Sequence, residues 1–293
     1  MPSLQESKLA FIGGGNMASA IIGGLVNKGV QKHNIWVSEP WDVNREKMAA
    51  LGVQTTTANV EAAKDADLVI IAVKPQVTKG VCEELGAAWS QRTTLPVVVS
   101  IAAGITLDSL VQWLRTSDGR NAHVVRVMPN TPALVGEGAS GLYASKDVTS
   151  EEKELVNAVL GSVSKATEWV DKEELLDVVT GLSGTFNSWI RMWIWPRLLF
   201  AMVEHLVASA TALGLSEEQA TRLAAQTCLG AGKMLVESSD SPSQLRKNVT
   251  SPNGTTHAAL QTFESLGFKD TVDKAVNSAT SRAAELGNTL GKQ

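Results

Sequence analysis

The chain has little cysteine, little net charge and no long uninterrupted apolar run, and each shortage removes a class of protein. Only Cys82 and Cys228 are present. Both sit within apolar helical patterns, so buried free thiols are expected rather than a disulfide framework or a metal site, and with them a reducing, cytoplasmic setting. Lysine plus arginine number 26 against 30 aspartate plus glutamate, a formal net charge of −4, which leaves no basic stripe for nucleic acid. The most apolar stretch, Trp189 to Leu213, is broken by Arg191, Pro196, Arg197, Glu204 and His205. No membrane span is expected there, because each central charge costs about 2.5–3.5 kcal/mol. The first residues lack the charged and apolar regions of a signal peptide. No low-complexity tract, internal repeat or run of like charge interrupts the sequence.

What is present begins at Lys8 to Leu25, KLAFIGGGNMASAIIGGL. The apolar run Leu9 to Ile12 breaks into Gly13-Gly14-Gly15 and then takes up helical spacing, which leaves backbone amides pointing outward at a helix N-terminus, where a phosphate binds. Gly13, Gly15 and Ala18 fit G-x-G-x-x-A: one for a tight turn, one for close approach of a pyrophosphate, one small residue for helix against strand. Glycine-rich turns of this kind also serve plain packing, and the motif alone does not choose between the two.

Its context favours the phosphate. Strand-like runs follow at Asn34 to Ser38, Asp67 to Val73, Pro96 to Ile101 and His123 to Met128, with amphipathic segments near Arg45 to Leu51, Thr78 to Trp89 and Leu107 to Leu114. Strands alternating with helices predict an α/β fold with a doubly wound parallel sheet. The second strand ends in Glu39, near the position of an acidic ribose ligand. With 293 residues, 44% hydrophobic and 19% charged, the chain can bury a real core and is expected to form two domains. The boundary is placed between residues 167 and 168. After Trp169 the sequence reads as helices at Lys172 to Leu182, Pro196 to Leu213, Ser216 to Ser238, Ser241 to Val249, Thr255 to Leu266 and Lys269 to Leu286. Ser216-Glu217-Glu218-Gln219 is a capping box, and Gly214 and Gly267 mark helix ends. Ala220 to Leu235 is apolar on more than one side, so it must be covered either by its own core or by a second subunit. The loop Asn248 to Thr256, NVTSPNGTT, presents Ser251, Gly254, Thr255 and Thr256 at a positive helix end suited to a carboxylate, although a simple capping loop would look the same.

Six motifs, FIGGGNMASAIIGGL, AVKP, VVSIAAGITLD, RVMPNTPALVGEG, AAQTCLGAGKML and NVTSPNGTTHAAL, make the chain resemble the pyrroline-5-carboxylate reductases over nearly its whole length. The resemblance implies a Rossmann domain at 1–167 and an all-helical dimerisation and substrate domain at 168–293, assembled as a dimer or a dimer-based ring. It implies reduction of 1-pyrroline-5-carboxylate, an imino acid, to L-proline with NADPH, the last step of proline biosynthesis, in the cytoplasm. Phosphates would meet Gly13, Gly14, Gly15, Asn16, Met17 and Ala18. Asn59, the strand end Ala72-Val73-Lys74-Pro75, and Ile101, Ala102 and Ala103 would line the adenine-ribose and nicotinamide path, joined by Asn248. Ser251, Gly254, Thr255 and Thr256 would hold the substrate carboxylate, with Thr256 also bonded to the ring nitrogen. A protonated cyclic imine accepts hydride directly, so the protein chiefly aligns two reactants. That accounts for the absence of an evident catalytic His, Cys or carboxylate pair. His33, His123 and His205 are expected to be structural, and His257 adjoins Thr256.

The chain departs from the family pattern twice. Glu39 stands where the family commonly has a small hydroxyl or neutral residue that tolerates the 2′-phosphate of NADP, so NADH is a plausible alternative cofactor, with Arg45 the only nearby cation to offset the carboxylate. After Ser183-Gly184 the family's S-G-P-A-Y gives way to TFNSWIRMWIW and then Pro196-Arg197-Leu198-Leu199, about nine extra residues. Three tryptophans, Trp189, Trp193 and Trp195, fall in this insertion, which is expected to pack against the helical domain or a neighbouring subunit, close to Ser251 to Thr256. A non-catalytic NADP-binding oligomer is the reading this segment leaves open. A hydroxyacid reductase of related fold would carry a lysine soon after Gly181-Leu182-Ser183-Gly184, yet none follows before Lys233.

Overall fold

The computed structural model describes residues 3–183, 195–251 and 254–290. Along the chain run β1 (Leu9–Ile12), α1 (Asn16–Asn27), β2 (Ile35–Ser38), α2 (Asp42–Ala50), β3 (Gln54–Thr56), α3 (Asn59–Ala63), β4 (Leu68–Ile71), α4 (Pro75–Ala88), β5 (Val97–Ser100) and α5 (Leu107–Trp113). They are followed by β6 (His123–Pro129), β7 (Gly138–Ala144), α6 (Ser150–Leu160), β8 (Ser164–Trp169) and α7 (Leu175–Ser183). Five further helices are α8 (Trp195–Ala212), α9 (Glu217–Glu237), α10 (Pro242–Asn248), α11 (Thr255–Ser265) and α12 (Phe268–Leu290). Two compact units result, residues 1–194 with 279–293 and residues 195–278, so α12 contributes to both. The insertion after Ser183 falls largely on 184–194, outside the described residues.

The first unit is an eight-stranded sheet in the order β3-β2-β1-β4-β5-β6-β7-β8. Leu9–Ile12, Leu68–Ile71 and Val97–Ser100 are buried at every position, as strands covered by helices on both faces must be. Alternate side chains feed two cores: Leu9, Phe11, Ile70 and Val99 on one face with α1 and α6, and Ala10, Ile12, Val69 and Val98 on the other with α4 and α5. The sheet departs from the expected parallel order at one pair, because β7 runs antiparallel to β6. Only residues 130–137 connect them, short of the dozen or so residues a parallel crossover needs. A left-handed Gly136 (φ 76°) helps the chain turn back. β8 then pairs parallel to β7 through the α6 crossover and spans the expected 167/168 boundary. Leu176 of α7 is buried with Ala103 and Met128, so the compact sheet unit extends past that boundary.

In the second unit the capping box forms, with Ser216 and Gln219 bonding reciprocally at the start of α9. Cys82 is buried and its thiol is pushed up to about 12 by desolvation, which makes it inert. Cys228 is only half-buried, contrary to expectation. Its helix α9 buries Ala220 alone and leaves Leu223, Leu229, Met234 and Leu235 exposed, so the cover that its apolar faces require is not supplied by the described chain. Among the described residues no helix is long and apolar enough to cross a membrane. Nor is any group of three His, Cys, Asp or Glu placed to hold a metal.

Candidate active site

The glycine turn is built by its neighbours. Gly13 adopts φ 101° and donates its N–H to Ser38 O at 2.8 Å. A Cβ there would lie 2.7 Å from the carbonyl oxygen of Ala72. Ala72 N in turn donates to Ile12 O at 2.8 Å, and Ile101 N to Ile71 O at 3.1 Å. The ends of β1, β4 and β5 are therefore laced together. Gly13–Ala18, Glu39, Ala72–Pro75 and Ile101–Ala103 consequently share the C-terminal edge of the sheet, the edge at which ligands bind in such folds. Gly15 is the N-cap of α1, with no side-chain cap bond and no atom within 4 Å of where a Cβ would stand. The first amides of α1, from Asn16, Met17 and Ala18, thus have the arrangement that holds a phosphate. The Ala18 side chain is buried in the core.

At the β5 end, Ile101, Ala102 and Ala103 are buried, and Ala102 N donates to Ser100 Oγ. This shelf is fastened from behind. The buried guanidinium of Arg126 pairs with Glu173, whose Oε1 also accepts the Leu107 N–H at 2.6 Å. Asp177 completes the cluster: burial pushes its carboxyl up, against the pull of Arg126.

At the β2 end, Glu39 stands where the sequence placed it but with both carboxylate oxygens engaged. Oε2 accepts from Gly14 N at 2.7 Å and Oε1 from Trp41 N at 3.0 Å. Arg45, the cation expected to offset it, bonds the carbonyl oxygens of Glu39 and Pro40 and pairs with Asp42. It is not the only cation at this corner, because Lys74, the N-cap of α4, lies over the Trp41 ring at 5.4 Å. The Asn59 side chain accepts from Ser38 Oγ and donates to Glu84, each at 2.7 Å. Sequence reasoning passed over Trp41, Arg126 and Glu173; for Trp41 the available signal was its place two residues after Glu39.

Asn248, Ser251, Gly254, Thr255 and Thr256 belong to the second unit. Asn248 closes α10 with its amide bonded to Gln244 and Asp240. Gly254 donates to Ser251 O at 3.0 Å and is the N-cap of α11, again without a side-chain cap or an acidic residue in the first turn. Thr255 and Thr256 are exposed there, so hydroxyls and helix-end amides face outward together, as a carboxylate site requires. His123 is bonded to Glu152 at 2.8 Å, in keeping with a structural role.

Residues 8–104 match a family model described as NADP oxidoreductase coenzyme F420-dependent, and residues 173–286 one described as pyrroline-5-carboxylate reductase dimerisation. A pyrroline-5-carboxylate reductase of Pseudomonas aeruginosa is 42% identical over 290 residues, covering 99% of this chain and 100% of that protein. One from Arabidopsis thaliana is 37% identical over 98% of each. The solved structure of a pyrroline-5-carboxylate reductase from Coxiella burnetii superposes with a TM-score of 0.86 at 37% identity, over 96% of this chain and 98% of that one. That of the Plasmodium falciparum pyrroline carboxylate reductase with NADP bound gives 0.78 at 29% identity, over 97% and 100%. With this identity sustained from end to end, the chain belongs to the pyrroline-5-carboxylate reductase family.

Proposed function

We propose that the protein reduces 1-pyrroline-5-carboxylate to L-proline with NADPH, as a self-associating cytoplasmic enzyme of proline biosynthesis. The observation that supports this reading is the laced sheet edge, where a glycine turn packed against Ala72 leaves the start of α1 without a side-chain cap. The donor set fits the cofactor: Gly13 and Gly14 spend their own amides on Ser38 and Glu39 and shape the turn, phosphates take the first amides of α1, from Asn16 to Ala18, and Ala72 to Pro75 and Ile101 to Ala103 flank the ribose and nicotinamide path. When bound, NADPH supplies the hydride. Ser251 and the amides of Thr255 and Thr256 hold the substrate carboxylate at the positive end of α11, Gly254 closes the turn onto Ser251 O, and the Thr256 hydroxyl bonds the ring nitrogen. The sheet unit, which runs on through β8 and α7, serves the cofactor, and the helices from α8 onward serve the substrate and dimerisation, with the exposed apolar faces of α9 buried between subunits. The chemistry asks only for alignment of two reactants and exclusion of water.

The deciding assay is NADPH oxidation with and without 1-pyrroline-5-carboxylate. Substrate-dependent oxidation is expected, whereas cofactor binding without turnover would leave a non-catalytic oligomer. Thr256→Ala is expected to lower kcat/KM by roughly ten- to a hundredfold, the worth of one positioned hydrogen bond to a charged group, with NADPH affinity nearly unchanged. Full activity in that variant would place the imine elsewhere. Glu39 would repel a 2′-phosphate carrying nearly two negative charges, so the preference for NADPH over NADH is expected to stay below about a hundredfold in kcat/KM. A larger preference would show that Lys74 or Arg45 outweighs the carboxylate.

A further inference from the structure

Trp41 is 61% exposed, an unusual state for an indole, yet its backbone is firmly held. Its N–H donates to Glu39 Oε1, its carbonyl accepts from Arg45 N at 2.9 Å, and the other Glu39 oxygen takes the Gly14 N–H. A single buried carboxylate therefore ties the backbone of Trp41 to the glycine turn. Above the ring sits Lys74 Nζ at 5.4 Å, within cation–π range. An exposed aromatic face, fixed to the turn that takes the pyrophosphate and with β1 between it and the Ala72–Pro75 end, lies where the outer nucleoside of a dinucleotide must pass.

We infer that Trp41 is a specificity-determining residue for the cofactor, a platform on which its purine base stacks, with Lys74 setting the tilt of the ring and Glu39 holding the platform to the phosphate turn. This rests on the dinucleotide reading of the site proposed above. Stacking recognises the base and not the 2′ substituent, so Trp41 contributes equally to NADP and NAD; Glu39 adds to the stacking only by holding the Trp41 backbone, apart from its charge on the 2′ side.

The test is calorimetric titration of the full chain with NADP⁺, NAD⁺, adenosine 5′-monophosphate and nicotinamide mononucleotide. Trp41→Ala is expected to weaken the three adenosine-containing probes by a common factor of roughly ten to a hundred, the scale of base–aromatic stacking, and to leave nicotinamide mononucleotide unchanged. Trp41→Phe should retain most of the affinity, and Trp41→Leu, which keeps apolar bulk without a ring, should not. Wild-type affinity for adenosine 5′-monophosphate in both Trp41→Ala and Trp41→Leu would overturn the inference. So would a loss confined to NADP⁺, which would mean that Trp41 serves only to place Lys74 on the 2′-phosphate. If the unaltered protein bound none of the adenosine probes, the dinucleotide reading itself would fail.

Discussion

Gly13→Ala is expected to lower kcat/KM for the cofactor by about a hundredfold or more and to destabilise the fold, whereas Gly15→Ala should damage cofactor binding with little loss of stability. At Gly13 two costs coincide. The residue sits at φ 101°, a region that L side chains rarely adopt. The added Cβ would also stand 2.7 Å from Ala72 O and 2.9 Å from Ala72 C. Those are backbone atoms whose residue is bonded to Ile12 O, so the turn rather than β4 must yield. A phosphate-holding turn displaced by even a fraction of an ångström misplaces the nicotinamide at the far end, and about 1 Å of misplacement is enough for a hundredfold loss. Gly15 differs in both respects: its φ is −74° and nothing lies within 4 Å of its Cβ position. Alanine fits there in the free protein and would occupy the space proposed for the pyrophosphate. Thermal melts beside cofactor titrations separate the two effects. Equal behaviour of the two variants would mean that the open side of Gly15 does not face the cofactor.

The same contrast shows what the sequence could reveal. β1 runs over the expected Leu9 to Ile12, and the capping box at Ser216 forms as written, because both depend on residues adjacent in the chain. The glycine turn was legible for the same reason. β3 and α3 were missed because Gln54–Thr56 is a polar edge strand and Asn59–Ala63 is barely more than one helical turn. β8, with exposed Lys165 and Glu168, carries no apolar run to announce it. The antiparallel β7 follows from the short connection after Pro129, which becomes readable only once both strand ends are known. Glu39 follows the end of β2, as the apolar run indicates, but its engagement with Gly14 and Trp41 depends on how the second βα turn folds back against the first. The Arg126–Glu173 pair spans 47 residues, and nothing in local periodicity brings those two positions together.

That pair carries the largest expected effect on stability. Arg126→Ala should cost about 3–5 kcal/mol, a large share of the roughly 5–15 kcal/mol by which a folded protein exceeds its unfolded chain. The guanidinium is buried on β6, and its partly exposed partner Glu173 is fixed by a second bond from Leu107 N, so the carboxylate cannot swing out fully to water without releasing the start of α5. Removing the arginine leaves the Glu173 carboxylate and the half-buried Asp177 without their cation. Asp177 is already raised from its ordinary 3.8 by burial, and Arg126 is the group that pulls it down. Without Arg126 its folded-state value climbs further above the unfolded one. A carboxyl shifted in that direction stabilises the fold below its unfolded pKa and loses that contribution as pH rises through the folded value. The deficit of Arg126→Ala should therefore be greatest at neutral pH and shrink as pH falls toward 3.8. Adding Glu173→Gln to Arg126→Ala should recover part of it, since the amide oxygen can still accept from Leu107 N while the orphaned charge is gone. Urea melts of both variants at neutral and acidic pH measure these differences. A loss under about 1 kcal/mol, in the range of an exposed ion pair, would show that the pair is not the fastening of the Ile101–Ala103 shelf that its geometry indicates.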